Sequence, residues 1–312
     1  MKPLTFGFGV FPYSRFAQPD DLVETVVTGE RLGYSILGMP EHVLLPAWPT
    51  APEHTKVWHD QVALASYLAG ATSRIEFMTS IMIVPLHPPV QLAKALATLS
   101  IMSGGRIRLG VGAGWMRAEF RRLGIPYDER GDMTDEYLRA MRELWTAERP
   151  SFRGRYVSFE DVSLLPQPPR PIPFIIGGSG PRPFRRLAEL GDGWIPMPTG
   201  PRGIAKGLAR LEPLLAERGR TLDSVWVAGS LTVDRDPEME QLVAHAEAGG
   251  GAGADTLQGS HGSLSADECV ERIAELREAG VDHISPGFAW RDGSELRERL
   301  AWFAENVAPQ LA

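Results

Sequence analysis

A glutamate–histidine pair at positions 41 and 42 is the first candidate for catalysis. Glu41 and His42 directly follow a strand-like run, Ser35–Met39. A histidine at the end of a strand can donate or accept a proton near neutral pH. A loop histidine bonded only to backbone is an equally good interpretation of these residues, and both stay open.

Hydroxyl side chains interrupt a second apolar run. Thr79 and Ser80 precede Ile81 within Arg74–Val84. An unpaired buried hydroxyl costs about 1–3 kcal/mol, so each one needs a partner. That partner is either a ligand or the backbone of a neighbouring strand, and the residues alone favour the backbone.

The first of two glycine-rich turns comprises Gly110, Gly112, Ala113 and Gly114. Glycine lets a backbone approach a flat ring or a phosphate closely. Trp115 stands where the dinucleotide fingerprint GxGxxG needs its last glycine, so an open-sheet dinucleotide site is disfavoured. Trp115 either walls a ring pocket or belongs to the core.

The second glycine-rich turn comprises Gly177, Gly178, Ser179 and Gly180, and Pro181 opens the next helical region. Backbone N–H groups at a helix start attract anions through the helix dipole and their unpaired donors. This turn therefore predicts a phosphate site. The alternative is a tight turn that simply needs glycine.

Five arginines are expected to cluster around the end of one strand, and they either steer an anionic ligand or, more simply, lie on solvated helix faces: Arg106, Arg108, Arg117, Arg121 and Arg122. Glu119 lies among them, and pairing with Arg121 or Arg122 is its simplest interpretation. The histidines form no HExxH pattern, so we predict no metal site. No GxSxG elbow indicates a serine hydrolase.

The elements that must position these residues alternate between strands and helices, which is typical of parallel βα units. Eight strands are predicted: Leu4–Val10, Ser35–Met39, Arg74–Val84, Arg106–Val111, Phe174–Gly177, Gly193–Met197, Val225–Leu231 and Val281–Ser285. Helices are predicted between them, with a hairpin over Arg153–Pro168, a helix over Glu238–Ala248 and a glycine-rich stretch behind that helix. The count favours one (β/α)8 barrel over 1–312, with insertions in the loops at the carboxyl-end rim, where catalytic groups collect.

Composition excludes several classes of protein. The chain has 312 residues, 43% of them hydrophobic, and a net charge of −7, which argues against a disordered chain and against nonspecific nucleic-acid binding. No apolar run approaches the ~20 residues of a membrane span, and no export signal is visible, so we expect a cytoplasmic protein. The single cysteine, Cys269, is expected to pack inside a helix.

Several segments, taken in order, resemble the luciferase-like monooxygenase superfamily, specifically its deazaflavin-dependent oxidoreductase branch. They are Pro40–Val43, Thr79–Ile81, Pro88–Leu99, Ser103–Trp115, Glu119–Phe120, Leu123–Pro126, Ile176–Gly180 and Leu190–Trp194. They cover about residues 4 to 194, and Asp267–His283 is also similar. The glycine-rich region 249–263 departs from the family pattern.

The resemblance implies a (β/α)8 fold, a homodimer, and binding of coenzyme F420 or, alternatively, FMN. It places His42 beside the cofactor ring as a candidate for proton transfer. It places Ser80 and Ile81, with Thr79 before them, at a bulge with a non-prolyl cis bond behind the ring.

The resemblance further implies that Gly112, Ala113, Gly114 and Trp115 line the ring or its tail. Gly177, Gly178 and Ser179 would hold the phosphate. Glu119 is a weaker candidate as an acid.

Our leading hypothesis is hydride transfer between F420 and a small organic substrate, with His42 as the proton partner. The arginine-rich composition suggests a GC-rich host able to make that coenzyme. One rival is an FMN-dependent monooxygenase, which needs a flavin reductase. A second is a barrel aldolase or isomerase, disfavoured because none of the four lysines lies at a strand end. A third is a cofactor-binding protein without catalysis.

Overall fold

The computed structural model describes residues 2–45, 47, 52–196, 200–241 and 263–311. Its strands are β1 Thr5–Gly9, β2 Ile36–Met39, β3 Glu76–Thr79, β4 Met82–Ile83, β5 Ile107–Gly112, β6 Phe152–Arg153, β7 Ser158–Phe159, β8 Phe174–Gly177, β9 Gly193–Ile195, β10 Trp226–Thr232 and β11 His283–Gly287. Its bounded α-helices are α1 Pro19–Arg31, α2 Gln61–Ala69, α3 Pro89–Met102, α4 Arg117–Arg122, α5 Arg130–Thr146, α6 Pro181–Leu190, α7 Pro201–Ala216, α8 Ala266–Glu278 and α9 Gly293–Asn306.

The parallel strands close into a barrel. They pair in the order β3-β2-β1-β11-β10-β9-β8-β5, and a further pairing of β3 with β5 closes the ring. With β3 and β4 counted as halves of one strand, the barrel has eight strands. The predicted (β/α)8 fold is therefore confirmed, and the carboxyl ends of all its strands meet at one rim.

The third predicted strand is divided in two. We predicted one strand over Arg74–Val84, but β3 ends at Thr79 and β4 begins at Met82, with a cis peptide bond between Ser80 and Ile81. Both halves pair with β5, β3 through Phe77 and β4 through Met82. The cis bond lies where the family resemblance implies it.

Alternation along the strands decides which side chains enter the barrel. Phe8 packs outward against α1, so closely that a Cβ at Gly29 would lie 2.4 Å from its ring. Because successive strand residues face opposite sides, Gly7 and Gly9 face the barrel interior. The main apolar core lies between the strands and the helices, where Phe8, Phe174 and Trp194 are fully buried.

The amino end of the barrel is polar. Arg108 lies 2.5 Å from Glu76 and its guanidinium stacks 5.0 Å from the Trp226 ring. His283 is completely buried, with its Nδ1 2.9 Å from the Thr5 hydroxyl. Burial, followed by the charge of Arg108, lowers the pKa of His283 to about 3.

Two of the five arginines expected at a strand's carboxyl end lie at the other end. Arg106 and Arg108 stand at the start of β5, where Arg106 donates to the carbonyls of Ala69 and Ile75. That prediction was wrong, because the two ends of a six-residue strand are separated by the depth of the barrel. Arg117 stands at the rim and pairs with Asp128.

The remaining segments agree with the sequence in part. The hairpin predicted over Arg153–Pro168 is present as the antiparallel pair β6–β7, but the pair spans only residues 152–159. The short helix α4 was predicted as a connector. Most of the predicted helix 238–248 and the glycine-rich region 249–263 lie outside the described residues. Cys269 is fully buried on α8, as expected. Within the described ranges, no helix is long and apolar enough to cross a bilayer.

Candidate active site

A histidine–glutamate pair stands at the carboxyl-end rim. Nδ1 of His42, just beyond β2, lies 3.0 Å from Oε2 of Glu119 on α4. The backbone N–H groups of Val43 and Leu44 donate to the other carboxylate oxygen at 2.7 and 3.0 Å. Glu119 is completely buried. Its partner is thus His42, and the simple interpretation that it pairs with Arg121 or Arg122 was wrong.

The Glu119 carboxylate is held in its ionised form. Burial opposes ionisation, but the hydrogen bond and charge of His42 and the two backbone amides outweigh it and keep the pKa below its ordinary value. An ionised carboxylate only accepts hydrogen bonds, so Nδ1 of His42 carries the shared hydrogen. Nε2 is then the imidazole atom left for proton exchange with a ligand.

Aromatic rings surround the His42 imidazole. Trp58 meets it edge-on at 4.8 Å and Trp115 at 5.8 Å. Phe11 lies against Trp58 at 4.2 Å. Only 11% of the His42 side chain is exposed. Trp115 therefore forms part of the wall around His42. Phe11 and Trp58 were missed from the sequence, where the loop after β2 could be recognised only as rich in Pro, Trp and His.

The side chain of Ile81 forms an apolar floor on one side of the barrel opening. A Cβ at Gly112 would lie 2.0 Å from Cδ1 of Ile81, and one at Gly177 would lie 3.1 Å from its Cγ2. These glycines leave room for Ile81, and this explains residues that we had expected to approach a ligand through their backbone. Contact of Gly112 with a cofactor stays a prediction.

The other side of the opening is an unfilled cradle of glycines. A Cβ at Gly9, Gly38 or Gly287 would meet nothing closer than 3.6, 3.7 or 3.8 Å. Gly9 pairs with Gly38, and Gly287 lies on the strand at the other side of β1. We call the opening bounded by this glycine arc, by exposed Ser80 and Ser230 and by Ile81 the mouth. Its glycine half is a cradle that side chains would fill.

Thr79 and Gly114 support the mouth through packing. Thr79 is 1% exposed, and its hydroxyl donates to the Gly110 carbonyl at 2.8 Å, so it joins β3 to β5. Gly114 has a φ of +82°, and a Cβ there would lie 2.6 Å from the Phe120 ring. Direct contact of either residue with a cofactor stays a prediction, as it does for Ala113.

The predicted phosphate turn lies before α6. Gly178 has a φ of +101° and donates its N–H to the Ile195 carbonyl at 3.1 Å, so that amide is already used. Gly180 is the N-cap of α6. Prolines at 181 and 183 bring no N–H, so the other amides of this helix start belong to Gly180 and Arg182. Contact of Gly177, Gly178 or Ser179 with a phosphate stays a prediction.

A second histidine–glutamate pair lies beside the first. Glu41 accepts from the Ile83 N–H at 2.7 Å through Oε2, and its Oε1 lies 3.0 Å from Nε2 of His87. Only 3% of the Glu41 side chain and 19% of the His87 side chain are exposed. His87 was missed from the sequence, where nothing distinguishes it from a loop histidine before Pro88.

The closed parallel barrel, with a histidine–carboxylate pair at its carboxyl-end rim, places the chain among the (β/α)8-barrel proteins. A family model for the luciferase-like monooxygenases matches residues 6–262. The chain therefore belongs to the luciferase-like monooxygenase family, whose members are oxidoreductases and monooxygenases.

The chain is similar in sequence or in structure to three further proteins. An uncharacterised protein of Mycobacterium tuberculosis is 32% identical over 297 residues, which covers 91% of each chain. An FMNH2-dependent dimethylsulfone monooxygenase of Pseudomonas putida is 27% identical over 80% of this chain and 78% of its own. The structure of an F420-dependent secondary alcohol dehydrogenase with an F420–acetone adduct has a TM-score of 0.79 and 20% identity over all of both chains, which shows the fold alone.

Proposed function

We propose that this protein transfers a hydride between coenzyme F420 and a small organic substrate. The observation that carries the proposal is the mouth, where an apolar floor at Ile81 faces an unfilled glycine cradle and His42 stands at the wall. A flat ring system fits such a lining, because glycines let it approach the backbone and an aliphatic side chain supports its face.

The donor set of the chain suits the rest of such a cofactor. The backbone amides of Gly180 and Arg182 at the start of α6 would bind a phosphate. Ser80, Ile81 and Trp115 would contact the ring. When bound, F420 would supply hydride transfer. Its ring has a carbon in place of the flavin N5, and it therefore reacts poorly with oxygen.

The contribution of the chain is to orient, to exclude water and to move one proton. Glu119 fixes the His42 ring through Nδ1, so Nε2 can give a proton to, or take one from, a substrate oxygen. Trp58 and Trp115 shield the imidazole from bulk water. The imidazole would thereby be held in place for proton transfer.

The second candidate function is an FMN-dependent monooxygenase that works with a separate flavin reductase. Similarity to the dimethylsulfone monooxygenase over 80% of this chain favours it. The same phosphate turn and floor would serve FMN, so the two candidates differ in the ring that the mouth prefers.

Competitive binding separates the candidates. Purified protein is titrated with F420 and with FMN under nitrogen, and the preferred cofactor is then tested in reduced form with and without oxygen. The F420 proposal expects tighter binding of F420 and substrate reduction that does not depend on oxygen. Tighter binding of FMN with oxygen-dependent turnover would contradict it and support the monooxygenase, and binding of neither would contradict both.

The proposal includes a homodimer in the cytoplasm. Exposed apolar side chains on the outer faces of α1, α2 and α3 support an interface there: Val27, Tyr67, Val90 and Met102 are 39, 51, 42 and 76% exposed. Light scattering behind size-exclusion chromatography tests it, and a monomer at micromolar concentration would contradict it.

A further inference from the structure

The pair formed by Glu41 and His87 lies behind the mouth rather than in it. Glu41 directly precedes His42 at the end of β2, and its carboxylate points toward β4. It receives the N–H of Ile83, two residues beyond the Ile81 floor. One buried side chain therefore connects the strand end that carries His42 to the segment that carries the floor.

A second connection runs parallel to the first. Gln61 is completely buried, and its amide nitrogen donates to the carbonyl of Met39 and lies 3.5 Å from the carbonyl of Ile81. The end of β2 and the segment 81–83 are thus joined by two buried polar side chains. A buried polar connection rigidifies when its groups are satisfied. Both carboxylate oxygens of Glu41 have partners, whereas Oε1 of Gln61 has none among the described residues, so Glu41 is the better satisfied of the two connections.

The imidazole of His87 is the hydrogen-bond partner of Oε1 of Glu41. Without it, Oε1 of a carboxylate that is 3% exposed would lack its imidazole partner, and an unpaired buried charge is strongly unfavourable. Burial lowers the pKa of His87, but the hydrogen bond and charge of Glu41, helped by Asp60 and Glu119, outweigh burial and raise it. The imidazole of His87 therefore favours its charged form beside Glu41.

We propose that Glu41 and His87 are a positioning pair that fixes the spacing between the Ile81 floor and the His42 imidazole. The spacing matters under the proposed function because the cofactor ring would occupy the space between them. Neither residue is a catalytic residue, since Glu41 reaches the mouth only through Ile83 and through its neighbour His42.

The test compares four variants with the wild type. His87→Ala removes the donor to Glu41, and His87→Gln restores one, because the glutamine Nε2 can take the place of the imidazole Nε2. His87→Asn is polar but one methylene too short. His54→Ala is the matched control, since His54 is exposed and its side chain has no part in the site.

The primary measurement is made on the protein without cofactor. Hydrogen exchange at the Ile83 amide and the ring ¹⁵N shifts of His42 report the two ends of the connection. We expect His87→Ala to accelerate Ile83 exchange by about tenfold or more, as expected for loss of a hydrogen bond to a charged group, and to shift the His42 signals. His87→Gln should restore exchange to within about threefold of the wild type, and His54→Ala should leave both signals unchanged.

Cofactor affinity is the second measurement. Whichever of F420 and FMN the wild type binds should bind about tenfold or more weakly to His87→Ala and nearly normally to His87→Gln. Should His87→Ala not fold, the contrast between His87→Asn and His87→Gln carries the test.

Two results would overturn the inference: unchanged Ile83 exchange and His42 signals in His87→Ala, or a glutamine variant as defective as the alanine one. Failure of the wild type to bind either cofactor would instead refute the proposed function. The exchange measurement would still decide whether the pair fixes the spacing.

Discussion

Gly180 offers a sharp test of where the phosphate binds. It is the N-cap of α6, with φ −89° and ψ 173°, values that any residue adopts. A Cβ there would lie 3.7 Å from its nearest neighbour, Cδ of Pro183. A side chain at this position therefore fits without strain. Gly178 is unsuitable, because its φ of +101° makes any substitution strained.

Gly180→Asp should weaken cofactor binding while leaving the fold intact. Asp is a favourable N-cap residue and differs from glycine by only a few tenths of a kcal/mol, so thermal stability should not fall. The carboxylate would face the predicted phosphate, and like charges about 5 Å apart repel by roughly 1–3 kcal/mol at the effective dielectric of a protein surface. The dissociation constant should rise by about tenfold or more.

Gly180→Asn is the matched control, because it caps the helix equally well without a charge. We expect it to bind within about threefold of the wild type in a fluorescence titration, and the Asp defect to shrink as salt is added. Equal dissociation constants for the Asp and Asn variants would refute the placement of the phosphate at α6.

Other perturbations test the remaining parts of the site and fold. His42→Ala should keep cofactor affinity within about tenfold and lower turnover about 10²-fold or more, whereas His54→Ala should keep both; equal turnover would remove His42 from the mechanism. Glu119→Gln should likewise lower turnover more than affinity, because the amide no longer fixes the imidazole tautomer; normal kinetics would exclude this role. Gly287→Val should fill the cradle and weaken cofactor binding at unchanged stability, in contrast to Gly70→Val outside the mouth; unaltered affinity would place the ring elsewhere. The pKa of His283 is about 3 in the folded chain and about 6.5 in the unfolded chain. Between pH 3 and pH 6.5 the folded chain therefore binds fewer protons than the unfolded chain, and the free energy of unfolding should fall as the pH decreases. Between pH 7.5 and 5, the free energy of unfolding measured in urea should fall by about 2 kcal/mol less for His283→Gln than for the wild type. Parallel pH profiles of the two proteins would contradict a lowered pKa of His283.

The barrel could be predicted because it rests on local patterns. Pro19 with Asp20 and Asp21 begins α1, and Gly33, with a φ of +95°, follows its end. Such signals recur along the chain, and eight strands with intervening helices leave few arrangements. The break between β3 and β4 has no such local signal, because Thr79 and Ser80 also fit within one strand over Arg74–Val84. Only the family resemblance indicates a bulge there.

The site could be predicted only in part, because its key relations are between distant residues. Glu119 lies among arginines in sequence, yet it turns inward to His42 because α4 folds back over the loop after β2. A glycine in a strand has no side chain to reveal its surroundings. Gly112 makes room for Ile81, while Gly9 and Gly287 open into the mouth, and the sequence alone does not distinguish these uses.

The most direct test is a crystal structure of the protein soaked with F420 or FMN. We predict the ring against Ile81, within reach of Nε2 of His42, and the phosphate at the amino-terminal end of α6. A mouth closed by protein side chains, or a cofactor bound away from both His42 and α6, would contradict the account.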